Sequence, residues 1–154
     1  MSMTALLIAN RGEIAVRIAR AATDLGLRTI AVHSADDATS LHVSLTDEAH
    51  ALNGGGPAAY LDIDGVIAAA KAAGCDAIHP GYGFLAERAD FAQACAEAGI
   101  TFVGPTVENL RLFGDKGGAR AAAVAADVPV LDGIDHGVSL EDAKAFFASL
   151  GAGG

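Results

Sequence analysis

The segment His79-Pro80-Gly81-Tyr82-Gly83-Phe84-Leu85-Ala86-Glu87 gathers the residue types that build a ligand-binding turn. Gly81 and Gly83 allow a backbone to come close to a bound molecule, Tyr82 offers a hydroxyl and Glu87 a carboxylate. Glycines in loops are ordinarily only turns. Here they frame a tyrosine and a glutamate directly after an apolar run, at a strand end of the kind where open α/β sheets receive ligands. This marks Tyr82, Gly83 and Glu87 as a cleft-facing loop. A second candidate is Lys116, which follows Gly114-Asp115. With Asp115 as N-cap, Lys116 falls at the first helical position, where its ammonium adds to the positive helix end and suits phosphate oxygens. The competing reading is a solvated surface lysine. A third set, Arg17, Arg20 and Asp24, falls at i, i+3 and i+7 on a helix face opposite Ile14 and Ile18. Such a face is either solvated or a charged protein contact.

Other chemistries find no support. The first strand-to-helix turn reads Ala9-Asn10-Arg11-Gly12-Glu13, with one glycine, and neither G-x-G-x-x-G nor G-x-x-x-x-G-K-[ST] occurs, which disfavours a dinucleotide site. In that turn Asn10 and Gly12 are expected to supply unusual backbone angles and Arg11 a surface or cap contact. His33, His42, His50, His79 and His136 have no metal-ligand spacing, so no metal site is expected. There is no G-x-S-x-G nucleophile elbow. Cys75 and Cys95 show neither disulfide nor ligand spacing, which makes the cytoplasm the default address.

The elements that must carry these residues alternate in type. Ala5–Ala9 reads as a buried strand and 13–25 as a helix closed by Gly26. A strand over 28–33 and a short amphipathic piece over 41–45 follow, with a further strand over 48–52. Asp62 is expected to cap a helix to about Ala73, with Leu61 and Val66 as a hydrophobic staple. A strand over 76–79 comes next. Asp90 and Gln93 have capping-box spacing for a helix ending at Gly99, before a strand over 100–103. Thr106 is expected to cap a short helix to Gly114, and helices over 116–126 and 140–150 flank Val128–Leu131. The rhythm predicts an α/β fold, a Rossmann-like three-layer parallel sheet, with a boundary near residue 114 and an unfinished second unit.

Composition agrees with this class. Of 154 residues 52% are hydrophobic and 19% charged, with 35 alanines, which suits helices packed closely on a sheet. Ten Lys+Arg against 19 Asp+Glu give a net charge of −9, which argues against a nucleic-acid-coating surface. No apolar run is long enough for a membrane span.

Several segments together resemble biotin carboxylase: 7–15 (LIANRGEIA), 77–85 (AIHPGYGFL) with Glu87, 102–105 (FVGP), 114–116 (GDK), and 41–43 (LHV) followed by 47–49 (DEA). The resemblance runs from residue 5 to 150 in unbroken register. It implies an ATP-dependent ligase that carboxylates biotin with bicarbonate through carboxyphosphate, using Mg2+ or Mn2+. The biotin is held on a carrier protein, and a carboxyltransferase passes the carboxyl on. By the same resemblance residues 1–114 are the pre-ATP-grasp domain and 115–154 the incomplete start of an ATP-grasp domain. Lys116 contacts ATP phosphate, and the face with Arg17, Arg20 and Asp24 belongs to a homodimer-facing helix. The sequence departs from the family where Asp37-Ala38-Thr39 lacks an arginine, and where 127–133 (DVPVLDG) has lost a glycine and a proline. The family's glycine-rich lid, metal-binding glutamates and catalytic arginine are not in these 154 residues, so the chain is expected to be a piece of an enzyme, inactive alone. Its partners would be the remainder of that chain, the carrier domain and the carboxyltransferase, with neither nucleic acid nor membrane. The alternatives are a non-catalytic nucleotide-binding or interaction module and a segment of another ATP-grasp ligase such as carbamoyl-phosphate synthetase.

Overall fold

The computed structural model describes residues 3–134 and 137–151. The chain divides into two units, one ending at Val107 and the other starting at Glu108. The first runs β1 (Ala5–Ile8), α1 (Gly12–Asp24), β2 (Arg28–His33), α2 (Leu41–Ser44), β3 (Glu48–Ala51), α3 (Ile63–Ala72), β4 (Ala77–His79), α4 (Ala89–Glu97) and β5 (Thr101–Phe102). The five strands form one sheet in the order β3-β2-β1-β4-β5. Every pairing is parallel, with Ile8 opposite Ala31 on one side and His79 on the other.

The continuous apolar run of β1 follows from burial on both faces, since a parallel sheet is covered above and below. Ala5, Leu7 and Ala9 join Ile30, Val32 and Ile78 in a core with Val66, Ile67 and Ala70 of α3 and Phe91 and Cys95 of α4. Phe91 meets Phe102 edge to face at 5.8 Å. The alternate residues Leu6, Ile8 and Ala77 face the other way, onto Ala15, Ile18, Ala19 and Ala22 of α1. The alanines thus do what their number suggested, bringing α1 close to the sheet. At the amino ends of the strands Asp76 accepts the Thr4 N–H, the Thr4 hydroxyl and the Ala5 N–H, while Asp47 accepts the Thr29 N–H and hydroxyl. Among the described residues no helix is long and apolar enough to cross a membrane.

Some local expectations need correction. α4 starts one residue before Asp90, with Arg88 as N-cap and no side-chain cap, so the Asp90/Gln93 capping box does not form. Gln93 instead donates to Glu97 one turn on, at 2.9 Å. The last strand of the sheet is confined to Thr101–Phe102. Asp62 does cap α3, accepting the Gly65 N–H at 3.1 Å.

The second unit holds most of α5 (Val107–Gly114), then α6 (Lys116–Ala125) and α7 (Leu140–Ser149). Its helices rest on local capping. Asp115 accepts the Gly117 N–H at 3.1 Å, and Ser139 with Asp142 closes a capping box. α6 and α7 bury no residue, and Leu131, Leu140 and Phe147 stand 88%, 70% and 73% exposed.

Candidate functional site

The chain lays β1, β2 and β3 outward in one direction, then crosses back to set β4 and β5 on the other side of β1. The order reverses between β1 and β4, and ligands of open α/β sheets bind beyond the strand ends at that reversal. The two turns meeting there are Asn10–Gly12 and Pro80–Gly83.

Asn10, 2% exposed, joins them. Its Nδ2 donates to the Pro80 carbonyl at 2.7 Å and the Tyr82 carbonyl at 2.8 Å, and its Oδ1 accepts the Arg11 N–H at 2.8 Å. Of the two residues expected to supply unusual backbone angles, Gly12 takes φ +64°, whereas Asn10 has no positive φ and contributes its carboxamide. Gly81 and Gly83 turn through left-handed φ of +67° and +64°. The Gly81 N–H donates to Nδ1 of His79 at 3.0 Å, which requires a neutral imidazole there, and burial pushes the His79 pKa down. Phe84 is also left-handed, at φ +43°, and its ring lies 5.4 Å from that of Tyr60.

A second network supports the first turn. Arg11 grips Asp37 with two nitrogens, Nε at 2.8 Å and Nη2 at 2.9 Å. Asp37 also accepts the hydroxyls of Tyr60 at 2.8 Å, Ser40 at 3.1 Å and Ser34 at 3.2 Å. Burial opposes the Asp37 charge, but these hydroxyls and the guanidinium outweigh it and hold the carboxyl below its usual range. Burial and the same carboxylate push Tyr60 up to about 12. Sequence reasoning missed Asp37, reading it only as part of a departure. The available signal was its spacing, three residues from both Ser34 and Ser40, just past a buried strand.

On this braced floor Tyr82 is 60% exposed, its hydroxyl donating to Glu13 at 2.6 Å. Gly83 has nothing within 4 Å of where a Cβ would sit, and Glu87 is exposed. The loop therefore offers a phenol, an open backbone and a carboxylate outward from a fixed base.

Arg17, Arg20 and Asp24 are exposed on α1. Arg17 and Arg20 line a hollow of about 600 Å³ between α1 and α2, with Glu13 and His42. Arg20 and Asp24 share a smaller one of about 220 Å³. His42 is 1% exposed, with Nε2 at 3.4 Å from the Val32 carbonyl and no partner for Nδ1. Lys116 belongs to the second unit, exposed at the first position of α6. Among the described residues no three His, Cys, Asp or Glu side chains gather as a metal-holding group. His136 lies outside the described residues. Cys75 and Cys95 are buried and free, and burial pushes both thiols up to about 11, far from a reactive thiolate.

Residues 2–110 match the family described as biotin carboxylase, N-terminal domain. The mitochondrial pyruvate carboxylase of Mus musculus is 52% identical over 149 residues, covering 95% of this chain and 13% of that protein. The biotin carboxylase of Pseudomonas aeruginosa is 54% identical over 132 residues, covering 84% of this chain and 29% of that protein. The solved biotin carboxylase domain of a single-chain bacterial carboxylase superposes with a TM-score of 0.92 at 53% identity, covering 96% of this chain and 34% of that one. The biotin carboxylase domain dimer of Hydrogenobacter thermophilus 2-oxoglutarate carboxylase, solved with MgADP, ADP and bicarbonate, gives 0.94 at 39% identity, covering 98% of this chain and 34% of that one. The chain thus spans no more than about a third of these relatives. Neither an isolated interaction module nor a carbamoyl-phosphate synthetase segment is favoured, and the chain belongs to the biotin carboxylase family as its amino-terminal domain.

Proposed function

We propose that this chain supplies the amino-terminal third of a working biotin carboxylase unit, which carboxylates carrier-bound biotin with ATP and bicarbonate through carboxyphosphate. The observation that carries the reading is the loop at the β1/β4 reversal, whose backbone Asn10 holds while Tyr82, Gly83 and Glu87 stay open. In this reading residues 1–114 form the pre-ATP-grasp domain and 115–154 begin an ATP-grasp domain. The helices α6 and α7 lie beyond that boundary, bury nothing and leave large apolar side chains to be covered, while the break between compact units falls earlier, after Val107.

ATP supplies the phosphoryl group that activates bicarbonate. The fit of this chain to a nucleotide rests on Lys116, an exposed ammonium at a helix start, where it would meet phosphate oxygens. The described residues form no metal-holding group, so the Mg2+ or Mn2+ that accompanies ATP would be held elsewhere in the complete enzyme. The loop residues fix a cleft wall, and the Arg11–Asp37 network keeps that wall from shifting. The remaining partners are the rest of the carboxylase chain, a biotin carrier domain, a carboxyltransferase and a second copy, all in the cytoplasm.

A chimera tests this. The present chain replaces the matching segment of Pseudomonas aeruginosa biotin carboxylase, to which it is 54% identical. Bicarbonate-dependent ADP formation is expected from the chimera and not from the 154-residue chain alone. A folded chimera without activity, or an active isolated chain, would overturn the reading.

A further inference from the structure

Glu13, the second residue of α1, accepts the Tyr82 hydroxyl at 2.6 Å across 69 residues of sequence, and both side chains stand in solvent. An exposed hydrogen bond trades water for protein and contributes little to stability. Its effect is directional instead. Asn10 fixes the Tyr82 backbone by donating to its carbonyl, but that contact leaves the ring free to turn. Gly81 and Gly83 on either side offer no side chain to pack on it, so Glu13 selects among the staggered positions of the phenol. The same bond decides what the phenol can offer. Its proton is committed to Glu13, so its oxygen turns lone pairs toward the cleft. The neighbouring carboxylate also pushes the Tyr82 pKa up, which keeps that proton in place. Residues 80–87 carry no lysine or arginine, and Glu87 adds a second exposed carboxylate. Such a surface repels phosphate and bicarbonate and suits a neutral group that donates N–H. Of the reactants in the proposed function, the ureido ring of biotin has that chemistry.

We propose that Glu13 is a positioning residue for the biotin half of the reaction, holding the Tyr82 phenol as a hydrogen-bond acceptor on the cleft wall. The inference rests on the function proposed above. Glu13 itself touches no reactant and acts only through Tyr82. The rival account is that Glu13 serves α1 alone, as an acidic residue in the first turn that complements the positive helix end. The two accounts differ in what Glu13 must keep. Positioning needs an acceptor oxygen, whereas a helix-start role needs the charge.

Kinetics of the chimera carrying Glu13→Ala, Glu13→Gln, Tyr82→Phe, or Glu13→Ala with Tyr82→Phe test the proposal. Glu13→Ala is expected to lower kcat/KM for free biotin by about three- to tenfold, because a released ring spreads over its staggered wells and leaves the productive one. The KM for ATP should not change. Glu13→Gln keeps an acceptor oxygen without the charge and should retain most of the parent's kcat/KM. In the Tyr82→Phe background, Glu13→Ala should have no further effect, since the hydroxyl through which it acts is gone. An unimpaired Glu13→Ala, a Glu13→Gln as impaired as Glu13→Ala, a rise in the ATP KM that matches the biotin loss, or a further loss in the double variant would each overturn the proposal. All four leave an active parent chimera, and with it the proposed function, standing. A folded but inactive parent chimera overturns the proposed function and this inference with it.

Discussion

Gly81 approaches Asn10 so closely that a Cβ at Gly81 would lie 2.8 Å from the Asn10 Nδ2, and 3.1 Å from Cγ1 of Ile14. Gly83 shares the left-handed backbone, at +64° against +67°, but has open space around it. Alanine at Gly83 should therefore incur only the left-handed penalty of about 1–2 kcal/mol. Alanine at Gly81 adds an overpacking cost of about 1–3 kcal/mol and pushes the carboxamide off its two carbonyls. Urea unfolding of the two variants should show a clearly larger fall in midpoint for Gly81→Ala. Equal falls would mean that Asn10 moves aside freely.

What the sequence disclosed and what it hid divide along the range of the interactions. β1, α1 and β2 were legible because burial on two faces leaves an unbroken apolar run and a helix end leaves Gly26. The Asp115 and Asp62 caps were legible because the acceptor and its N–H donor lie within three residues. Asn10 was misread because its partners, the Pro80 and Tyr82 carbonyls, are 70 and 72 residues away. Asp37 was hidden for the same reason, with Arg11 26 and Tyr60 23 residues distant. The α4 capping box failed for a local reason, a start displaced by one residue that spacing alone does not resolve. The loop chemistry was readable as residue types, but its bracing was not.

Asp37 is the anion on which Arg11, Tyr60, Ser34 and Ser40 converge, so Asp37→Asn should destabilise the first unit. Breaking a fully buried pair costs about 3–5 kcal/mol, but the Arg11 side chain is 36% exposed and water can partly replace its partner. A loss of about 2 kcal/mol is expected, read from urea midpoints at neutral pH. The loss should shrink on acidification: the folded pKa is depressed, so the contribution is present above the carboxylate's unfolded value of 3.8 and fades as pH falls through the folded one. A variant as stable as the parent would reduce the network to a surface contact.

His42 and His79 are both depressed from 6.5 by burial, so the folded unit holds them neutral and the unfolded chain binds their protons more readily. Stability is then complete above the unfolded value of 6.5 and declines as pH drops through the folded values. The melting temperature should fall between about pH 7.5 and 5.5, before any carboxylate titrates. His79→Asn keeps an acceptor for the Gly81 N–H without a titrating ring, and should flatten that slope. An unchanged slope in His79→Asn would show that the loop does not depend on a neutral imidazole.

Lys116 is tested in the complete enzyme or the chimera, where the nucleotide site is whole. A charge-assisted hydrogen bond to phosphate contributes about 1.5–3 kcal/mol, so Lys116→Gln should raise the KM for ATP by about tenfold or more. The melting temperature should hardly move, because the side chain is exposed and α6 is capped by Asp115 instead. An unaltered KM would make Lys116 a solvated charge.

Arg17 and Arg20 share a hollow of about 600 Å³ on the side of α1 that is turned away from its buried residues Ala15, Ile18, Ala19 and Ala22. If that side meets a second copy, Arg17→Glu with Arg20→Glu should weaken dimerisation of the complete enzyme or the chimera in sedimentation velocity. The chain already carries a net charge of −9, so the double reversal also raises general repulsion between subunits. Lys71→Glu with Arg88→Glu makes the same change in net charge at exposed positions elsewhere and controls for it. A dimer weakened by the α1 pair and spared by the control pair identifies a specific contact. Equal weakening by both pairs, or none by either, returns Arg17 and Arg20 to a merely solvated helix face.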